Sequence, residues 1–293
     1  MARIPENGPV GIPETSVPLL LGRYRPHQLL ARGGSSMVFR AVDENLGRDV
    51  AIKLFSSGTQ DDVVRFRTEV GVLAGLRHHG VVSILDAGVD DSSPEDPRPF
   101  LVIELVEGDT LRAALGTRAL TTRQIGELVF EVAETLEYIH ARGVIHRDVT
   151  PSNIMIVDYR TRFSRPRARL TDFGLAIHGS IPRDPEGTTN GTAAYLSPEQ
   201  VRNEPLTPAS DIYSLGLVLL ECFSGTIAFP GTPVESALGR LDRDPELTDE
   251  VPERWRPLIR QMTAASAADR PSAAEVTIAA RGALRADREE DAE

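Results

Sequence analysis

Residues 146–153 of this chain read His-Arg-Asp-Val-Thr-Pro-Ser-Asn, and this stretch decides how the rest of the sequence is interpreted. Asp-Phe-Gly follows at residues 172–174 and Ser-Pro-Glu at residues 197–199. Any one of these motifs alone carries little information, since short triplets occur by accident. Their joint occurrence, in this order and at these intervals, is informative.

The chain contains a single lysine, Lys53, and all its other residues of the Lys and Arg class are arginines. Lys53 ends an apolar run, Val-Ala-Ile-Lys at residues 50–53, which follows a Gly/Ser-rich turn at residues 32–36. An ammonium group is a compact point charge on a flexible stem, which suits contact with two phosphates. A lysine-poor genome could leave one lysine by chance, but its position inside this run favours a functional role.

The composition is that of an ordinary globular protein, with 41% hydrophobic and 26% charged residues among 293. The net charge of -11 argues against binding to nucleic acid, whose phosphates it would repel. No apolar run reaches the ~20 residues that span a membrane, and no secretory signal is visible. The single cysteine, Cys222, fits a buried thiol in a reducing compartment. We therefore expect a cytoplasmic protein.

The hydrophobic pattern changes along the chain. Strand patterns occupy residues 36–42, 49–55 and 100–104, and helical spacing occupies residues 61–76, 122–142 and 211–223. The last helix is apolar nearly all round, which is typical of a helix buried in a larger body. The pattern predicts a β-rich first part and an α-rich second part.

Together with the Val-Ala-Ile-Lys run, the three motifs resemble the signature set of protein kinases, specifically the eukaryotic-like Ser/Thr kinases of bacteria. The resemblance covers about residues 22–280. It implies an α+β fold of two lobes, a small β-rich N-lobe with one major helix and a larger α-helical C-lobe. The expected boundaries are a flexible tail at 1–21, a kinase domain at 22–285 with lobes at 22–105 and 106–285, and a charged tail at 286–293.

The resemblance also implies a role for each chemical group. Lys53 would bind the α- and β-phosphates of ATP, and Glu69 would pair with Lys53. Asp172 and Asn153 would be oxygen ligands of Mg²⁺ or Mn²⁺. Asp148 would accept the proton of the substrate hydroxyl or orient that hydroxyl. Of these residues, only Glu69 has a competing interpretation without function, which is a solvated carboxylate on the surface of a helix.

The adenine pocket is likewise implied by the resemblance. Ile103 corresponds to the residue at the back of the pocket, and the backbone of Glu104 and Val106 would bond the adenine. For the apolar residues of this pocket, packing against adenine and ordinary packing in the core require nearly the same physical properties. The full set implied for nucleotide binding is Leu30, Gly33, Gly34, Val38, Ala51, Lys53, Glu69, Ile103, Glu104, Val106, Met155 and Asp172.

Regulation and scaffold follow from the same resemblance. Arg147 precedes Asp148, the arrangement that recruits a phosphorylated activation segment. Thr188 and Thr189 are the phosphosite candidates, whereas the hydroxyl of Thr192 is expected to be structural. Asp211 would brace the backbone of the His-Arg-Asp motif. Arg270 would pair with Glu199.

The glycine-rich loop departs from the family pattern Gly-x-Gly-x-x-Gly. The chain has Ala31 at the first position and Ser36 at the third, and only Gly33 and its neighbour Gly34 remain. Added side chains restrict the backbone and crowd the phosphates. Since the middle glycine matters most for close approach, we expect a weakened loop.

Thr150 is the second departure. Ser/Thr kinases usually carry a lysine two residues after the catalytic aspartate, where it contacts the γ-phosphate. Elsewhere in this chain arginine takes the place of lysine and keeps the positive charge. Threonine at position 150 removes that charge, so a general depletion of lysine does not explain it. Loss of one such donor can cost ~3 kcal/mol of barrier, about a hundredfold in rate. Arg112 or the activation segment could supply a substitute charge.

The leading hypothesis is a Ser/Thr protein kinase that transfers the γ-phosphate of ATP to protein substrates and autophosphorylates, for which a dimer of two copies is allowed. The alternative is a pseudokinase, a nucleotide-binding scaffold or regulator, and it rests on Thr150 and the altered loop. A phosphotransferase for small molecules is disfavoured by residues 191–199, which resemble a peptide platform. The arginine-rich loop at residues 159–169 is either solvated or a docking surface for an acidic partner.

Overall fold

The structure is a computed structural model that describes residues 19–33, 36–56, 59–90, 97–117, 119–159, 162, 165–173 and 193–290. The described residues form two compact units. Of the described residues, the N-terminal unit holds those up to Leu76 and Val82–Leu105, and the C-terminal unit holds Arg77–Val81 and those from Val106 onward. Gly34, Thr188, Thr189 and Thr192 lie outside the described residues.

In the described residues the N-terminal unit is an antiparallel sheet of five strands with one helix, and the sequence patterns predict three of these strands and the helix. Its elements are β1 (Tyr24–Arg32), β2 (Ser36–Asp43), β3 (Arg48–Phe55), α1 (Gln60–Leu73), β4 (Ile84–Asp90) and β5 (Arg98–Glu104). The strand order is β1-β2-β3-β5-β4. Helix α1 begins with a capping box in which Thr59 and Asp62 satisfy each other's backbone N–H groups.

Side chains of β3 alternate between two apolar clusters. Val50, Ile52 and Leu54 pack on one face of the sheet with Phe39 and Phe100. On the other face, Phe55 packs with Leu101 of β5 and with Phe66 and Val70 of helix α1. Because strand side chains alternate with a period of two, Ala51 and Lys53 share the face that carries Phe55 and α1.

The C-terminal unit is mainly helical. Its elements are β6 (Asp109–Thr110), α2 (Leu111–Thr117), α3 (Thr122–His140), β7 (Ile154–Val157), β8 (Arg167–Leu170), α4 (Pro198–Val201), α5 (Pro208–Ser224), α6 (Pro233–Asp242), α7 (Arg256–Met262) and α8 (Ala273–Glu290). Strands β6, β7 and β8 form a small antiparallel sheet. Helix α5 is buried along most of its length, as its all-round apolar pattern predicts.

Helix α5 has well-defined ends. It follows Thr207 with Pro208 in its first turn, and it ends at Gly225, whose φ of 70° is left-handed. Cys222 is buried on this helix, and burial raises the pKa of its thiol well above the usual value. Cys222 is therefore a packed thiol with no reactive character, in line with the sequence prediction.

The chain differs from the expected tails at both ends. Leu20 is buried in the core of the N-terminal sheet and bridges to Tyr24, so ordered structure begins before residue 22. Helix α8 continues to Glu290, past the boundary expected at residue 286. Residues 283–290 are rich in Ala, Arg and Glu, which are good helix formers, and the charged run extends a helix.

Two arginines of the arginine-rich loop, Arg165 and Arg167, form ion pairs within the C-terminal unit. Arg167 of β8 bonds to Glu131 of helix α3, and Arg165 contacts both Glu127 and Glu131 at 3.3 Å. These pairs neutralise two of the arginines that a docking surface for an acidic partner needs. The solvated hairpin loop is the interpretation that the contacts favour.

Asp43 at the end of β2 holds the turn that leads into β3. Its carboxylate accepts two bonds of 2.7 Å from Arg23 and further bonds from the N–H groups of Asn45 and Leu46. The bond to Arg23 lowers the pKa of Asp43 from 3.8 to about 2. Since the pKa is lower in the folded state, ionised Asp43 stabilises the fold above pH ~4, and this stabilisation is lost as the pH falls from 3.8 towards about 2.

We predict that Asp43→Asn flattens the decrease in the free energy of unfolding between pH 4 and pH 2, because the variant has no proton to take up at this site. Urea unfolding at a series of pH values measures the slope. The control is Asp49→Asn, since Asp49 is exposed and pairs with the exposed Arg40. If Asp43→Asn and wild type show the same acid slope, the assigned role of Asp43 is wrong.

Candidate active site

Asp148 and Asn153 are bonded to each other in the loop before β7. The Nδ2 of Asn153 donates to the Asp148 carboxylate oxygen Oδ2 at 2.8 Å and to its backbone carbonyl at 2.9 Å. The backbone N–H of Asn153 donates to the carbonyl of Thr150 at 3.0 Å. Because Nδ2 of Asn153 is used in these bonds, Oδ1 is the amide atom left to bind a cation.

The segment with Asp172 is fixed to the same loop. Strands β7 and β8 pair with Ile154 opposite Leu170, and the N–H of Thr171 donates to the carbonyl of Asn153 at 3.0 Å. His146 contacts the Thr171 carbonyl at 3.0 Å through Nε2. Asp172 thus directly follows a residue that is bonded to Asn153, and the two expected metal ligands belong to one local frame.

Each of the two motifs contains one residue with a left-handed backbone. Arg147 has a φ of 69° and Asp172 a φ of 57°, both in the left-handed region that side chains disfavour. Such residues persist only where their surroundings hold them in place, and they cluster at functional sites. Here the side-chain amide of Gln200 donates to the carbonyl of Arg147 at 2.8 Å. The rings of His146, which precedes Arg147, and Phe173, which follows Asp172, pack against each other with their centroids 4.7 Å apart.

Asp211 at the start of helix α5 is the brace that the sequence predicts. Its carboxylate is buried and accepts the N–H groups of His146 and Arg147, each at 2.8 Å. It also lies 2.8 Å from Nε2 of His140 on helix α3. One carboxylate therefore holds two consecutive backbone groups immediately before Asp148.

Thr150 is buried, and the contacts of Arg112 do not support a role as substitute for the positive charge that is missing at position 150. The guanidinium of Arg112 bonds Glu221 at 2.5 Å and also the hydroxyl of Tyr195, while its backbone N–H bonds the carbonyl of Pro151 at 2.9 Å. Arg112 thus links the catalytic loop to helix α5 through a buried carboxylate. We do not assign to it the charge that is missing at position 150.

Glu199 and Arg270 form the predicted pair. Arg270 donates to the two carboxylate oxygens of Glu199 at 2.7 and 3.0 Å, and the Ser210 hydroxyl adds a bond of 2.7 Å. Burial alone would raise the pKa of Glu199, but the bonds from Arg270 and Ser210 outweigh burial and lower it. Removal of one partner of such a buried pair costs about 3–5 kcal/mol, so the pair firmly ties helix α4 to the segment before helix α8.

Arg240 of helix α6 is a scaffold residue that the sequence analysis missed. Its guanidinium is buried and donates to the carbonyls of Ala193, Leu196 and Ser236. Burial lowers the pKa of Arg240 to about 10, and carbonyl dipoles bind the cation. In an amphipathic helix an arginine is usually exposed, so no sequence signal distinguished this one.

In the N-terminal unit the strand register brings several expected nucleotide-binding residues together. Val38 pairs with Lys53, Ala51 pairs with Ile103, and all four lie on β2, β3 and β5. The Nζ of Lys53 lies 5.6 Å from the centroid of the Phe55 ring. Lys53 therefore shares one face of the sheet with Ala51, beside helix α1.

Glu69 lies on helix α1 directly before Val70, which packs on the sheet face that carries Lys53. Glu69 and Lys53 are thus on the same side of the sheet. Their pairing stays a prediction.

The remaining expected residues are divided between the units. Leu30 is exposed on β1, and the N–H of Gly33 bonds the carbonyl of Ser36 at 2.8 Å in the turn between β1 and β2. The N–H of Glu104 donates to the carbonyl of Ser83 at 2.9 Å, so the adenine would have to bond the Glu104 carbonyl. Val106 and Met155 belong to the C-terminal unit.

The comparisons with known proteins agree with this geometry. The family described as protein kinase domain matches residues 24–279 of the chain. The chain belongs to the protein kinase family. The family match also confirms the expected α+β fold, with its β-rich N-terminal part and helical C-terminal part.

Several bacterial relatives of this kinase-family chain carry the name of Ser/Thr kinases. It is 36% identical over 247 residues to the Ser/Thr-protein kinase PknA of Mycobacterium tuberculosis, a match that covers 82% of this chain and 56% of PknA. It is 37% identical over 262 residues to PknL of the same species, covering 86% of this chain and 63% of PknL. PknB of Mycobacterium leprae is 37% identical over 238 residues, 79% of this chain and 37% of PknB. The resemblance to bacterial eukaryotic-like Ser/Thr kinases is confirmed.

This kinase-family chain spans a little over half the length of PknA. Among the residues that the structure describes, no helix combines the length and apolar character needed to cross a membrane.

Proposed function

We propose that the chain is a Ser/Thr protein kinase that transfers the γ-phosphate of ATP to Ser or Thr hydroxyls of proteins. The observation that carries this proposal is the direct bond between Asn153 and Asp148, together with the bond that ties Thr171 to Asn153. These contacts support the proposal because they join the loop of the proposed proton acceptor, Asp148, to the segment that leads into Asp172, the second proposed metal ligand. Phosphoryl transfer needs this combination of positioning and neutralised charge.

The residues of the C-terminal unit fit a divalent cation. The carboxylate of Asp172 and Oδ1 of Asn153 are hard oxygen donors, which Mg²⁺ and Mn²⁺ prefer. Such a cation, when bound, neutralises phosphate charge and orients the phosphates. We propose Mg²⁺ or Mn²⁺ as the cofactor with ATP, as in the protein kinase family.

Asp148 would receive the hydroxyl of the substrate and accept its proton as the phosphate–oxygen bond forms. Its carboxylate is oriented by Asn153, and its backbone follows two residues held by Asp211. From the N-terminal unit, Lys53 would contact the α- and β-phosphates, with Glu69 as its partner. The other members of the expected adenine pocket keep their proposed roles, with Glu104 bonding through its carbonyl.

The wider biology of the chain is proposed on the same basis. We propose protein substrates, autophosphorylation at Thr188 or Thr189, and transient dimers of two copies for that reaction. We also propose a cytoplasmic location, which is supported by the buried free thiol of Cys222. The net charge of -11 supports the absence of nucleic acid among its partners.

The pseudokinase alternative rests on Thr150 and the altered glycine loop. Against it stand the intact proton acceptor, both metal ligands and the single lysine on β3. A scaffold that only binds nucleotide has no need for a proton acceptor that is oriented by Asn153.

We predict that Asp148→Asn lowers phosphate transfer from γ-labelled ATP to a basic protein substrate by at least about a hundredfold, because the amide cannot accept the proton. The amide oxygen can still accept the bond from Asn153, so folding and nucleotide binding should be retained. Lys53→Met should abolish transfer through loss of the phosphate contact, and exposed Asp242→Asn is the matched control. If the wild type binds nucleotide but transfers no more labelled phosphate than Asp148→Asn, the proposal of an active kinase is wrong.

We further predict that Thr150→Lys raises the turnover number, by up to about a hundredfold, because it restores a positive charge near the γ-phosphate. Since Thr150 is buried, a larger side chain also changes packing. Thr150→Met therefore serves as the control, with a long side chain and no charge. Steady-state kinetics should rank Lys above both Met and wild type, and a Lys variant no faster than the Met variant contradicts the account of the missing charge.

A further inference from the structure

Two histidines and a glutamate outside the kinase motifs converge in the C-terminal unit. His78 and His79 lie on the segment between α1 and β4, and Glu134 lies on helix α3. One ligand atom from each of the three falls within 4.8 Å of the other two. We propose that this cluster, which we term the His78–His79–Glu134 site, binds a divalent transition metal ion of the Zn²⁺ type.

The spacing of the ligand atoms supports this proposal. In a tetrahedral site with metal–ligand bonds of about 2.0–2.1 Å, neighbouring ligand atoms are about 3.3–3.4 Å apart. Nε2 of His79 and Oε2 of Glu134 are 3.4 Å apart. This pair already has the separation of two ligands on one metal, and only a ring nitrogen of His78 must move closer.

The segment that carries the histidines is held against helix α3 without a metal. The N–H of Arg77 donates to the Tyr138 hydroxyl at 2.8 Å, and the N–H of Leu170 donates to the Gly80 carbonyl at 2.7 Å. A Cβ at Gly80 would lie 1.9 Å from Oγ1 of Thr135, so only glycine allows this approach. The backbone of two of the three ligands is thus fixed before a metal arrives, which reduces the entropy lost on binding.

The side chains combine order with access. The His78 ring stacks on Tyr138 at 4.7 Å and packs on His79 at 4.2 Å. The side chains of His79 and Glu134 are 54% and 39% exposed, so an ion can reach them and both can adjust by rotation. Burial and the adjacent His79 lower the pKa of His78, which favours the neutral ring that ligates metals.

Two features oppose binding, and their size matters. Arg142 lies over the Tyr138 ring at 3.6 Å and adds a positive charge near the cluster. The N–H of Gly80 donates to Nδ1 of His78 at 3.2 Å, a long bond that ligation through His78 must break or rearrange. The charge of Glu134 offsets that of Arg142, and a weak neutral hydrogen bond is small beside a metal–nitrogen bond.

The donor set selects the class of ion. Two imidazoles and one carboxylate are typical of Zn²⁺, with water as the fourth ligand, whereas Mg²⁺ and Ca²⁺ prefer oxygen alone. The bound ion would join the segment 77–81 to helix α3. The same helix carries His140, a partner of Asp211, so the ion would add stability to the support of the catalytic loop.

The test is isothermal titration of the untagged full chain with Zn²⁺ in excess Mg²⁺, so that the oxygen ligands Asn153 and Asp172 do not compete. Wild type should bind one Zn²⁺ per chain, and Co²⁺ in its place should give the visible absorption of a tetrahedral site. His79→Ala and Glu134→Gln should each weaken Zn²⁺ binding at least about tenfold, since even changes around metal ligands have effects of this size.

The matched control is His27→Ala, because His27 is an exposed histidine of the N-terminal sheet and should leave Zn²⁺ binding unchanged. Absence of binding to wild type overturns the proposal. So does an affinity that His79→Ala and Glu134→Gln leave unaltered, or that His27→Ala lowers equally. The test needs no phosphate transfer, so its outcome is independent of the proposed kinase activity.

Discussion

The carboxylate of Asp211 is the interaction on which the site depends. Buried at the start of helix α5, it accepts the N–H groups of His146 and Arg147 and contacts His140. Burial of a carboxylate costs folding free energy unless its oxygens are hydrogen-bonded. Here two backbone N–H groups and Nε2 of His140 contact them. Because it holds the left-handed Arg147, it sets the direction in which the chain enters Asp148. Asn153 and the start of the Asp172 segment are then fixed by bonds to this loop.

The surrounding scaffold is built from arginines that bond inward. Arg270 holds Glu199, Arg112 holds Glu221, and Arg240 binds a set of backbone carbonyls between residues 193 and 236. The planar guanidinium presents five donors in a fixed fork, whereas the ammonium of lysine presents three on a flexible stem. The abundance of arginine therefore serves the fold as well as the surface. The single lysine lies on β3, where the chemistry proposed here uses a point charge.

The sequence predicted the parts of the structure that depend on local pattern or on motif. Helix α5, strands β2, β3 and β5 of the N-terminal sheet, the Asp211 brace and the Glu199–Arg270 pair followed from it, whereas β1 and β4 did not, and the family match confirms the fold. It could not predict the partners of Arg240 or Arg112, because a buried arginine and an exposed one have the same sequence pattern. Nor could it predict that His79 and Glu134, 55 positions apart in the sequence, would meet, since this depends on the tight approach of Gly80 to Thr135. The charged tail expected at residues 286–293 was inferred from its composition alone, and helix α8 extends into it as far as Glu290, because Arg and Glu are good helix formers.

The central claim is that Asn153 and Asp172 together hold the cation that orients ATP for transfer to a hydroxyl at Asp148. A crystal structure of the chain with Mn²⁺ and a non-hydrolysable ATP analogue, with anomalous diffraction from manganese, tests this claim most directly. The account predicts a manganese peak bonded both to Oδ1 of Asn153 and to the carboxylate of Asp172, with phosphate oxygens completing its coordination. A bound nucleotide whose manganese contacts neither residue would contradict it.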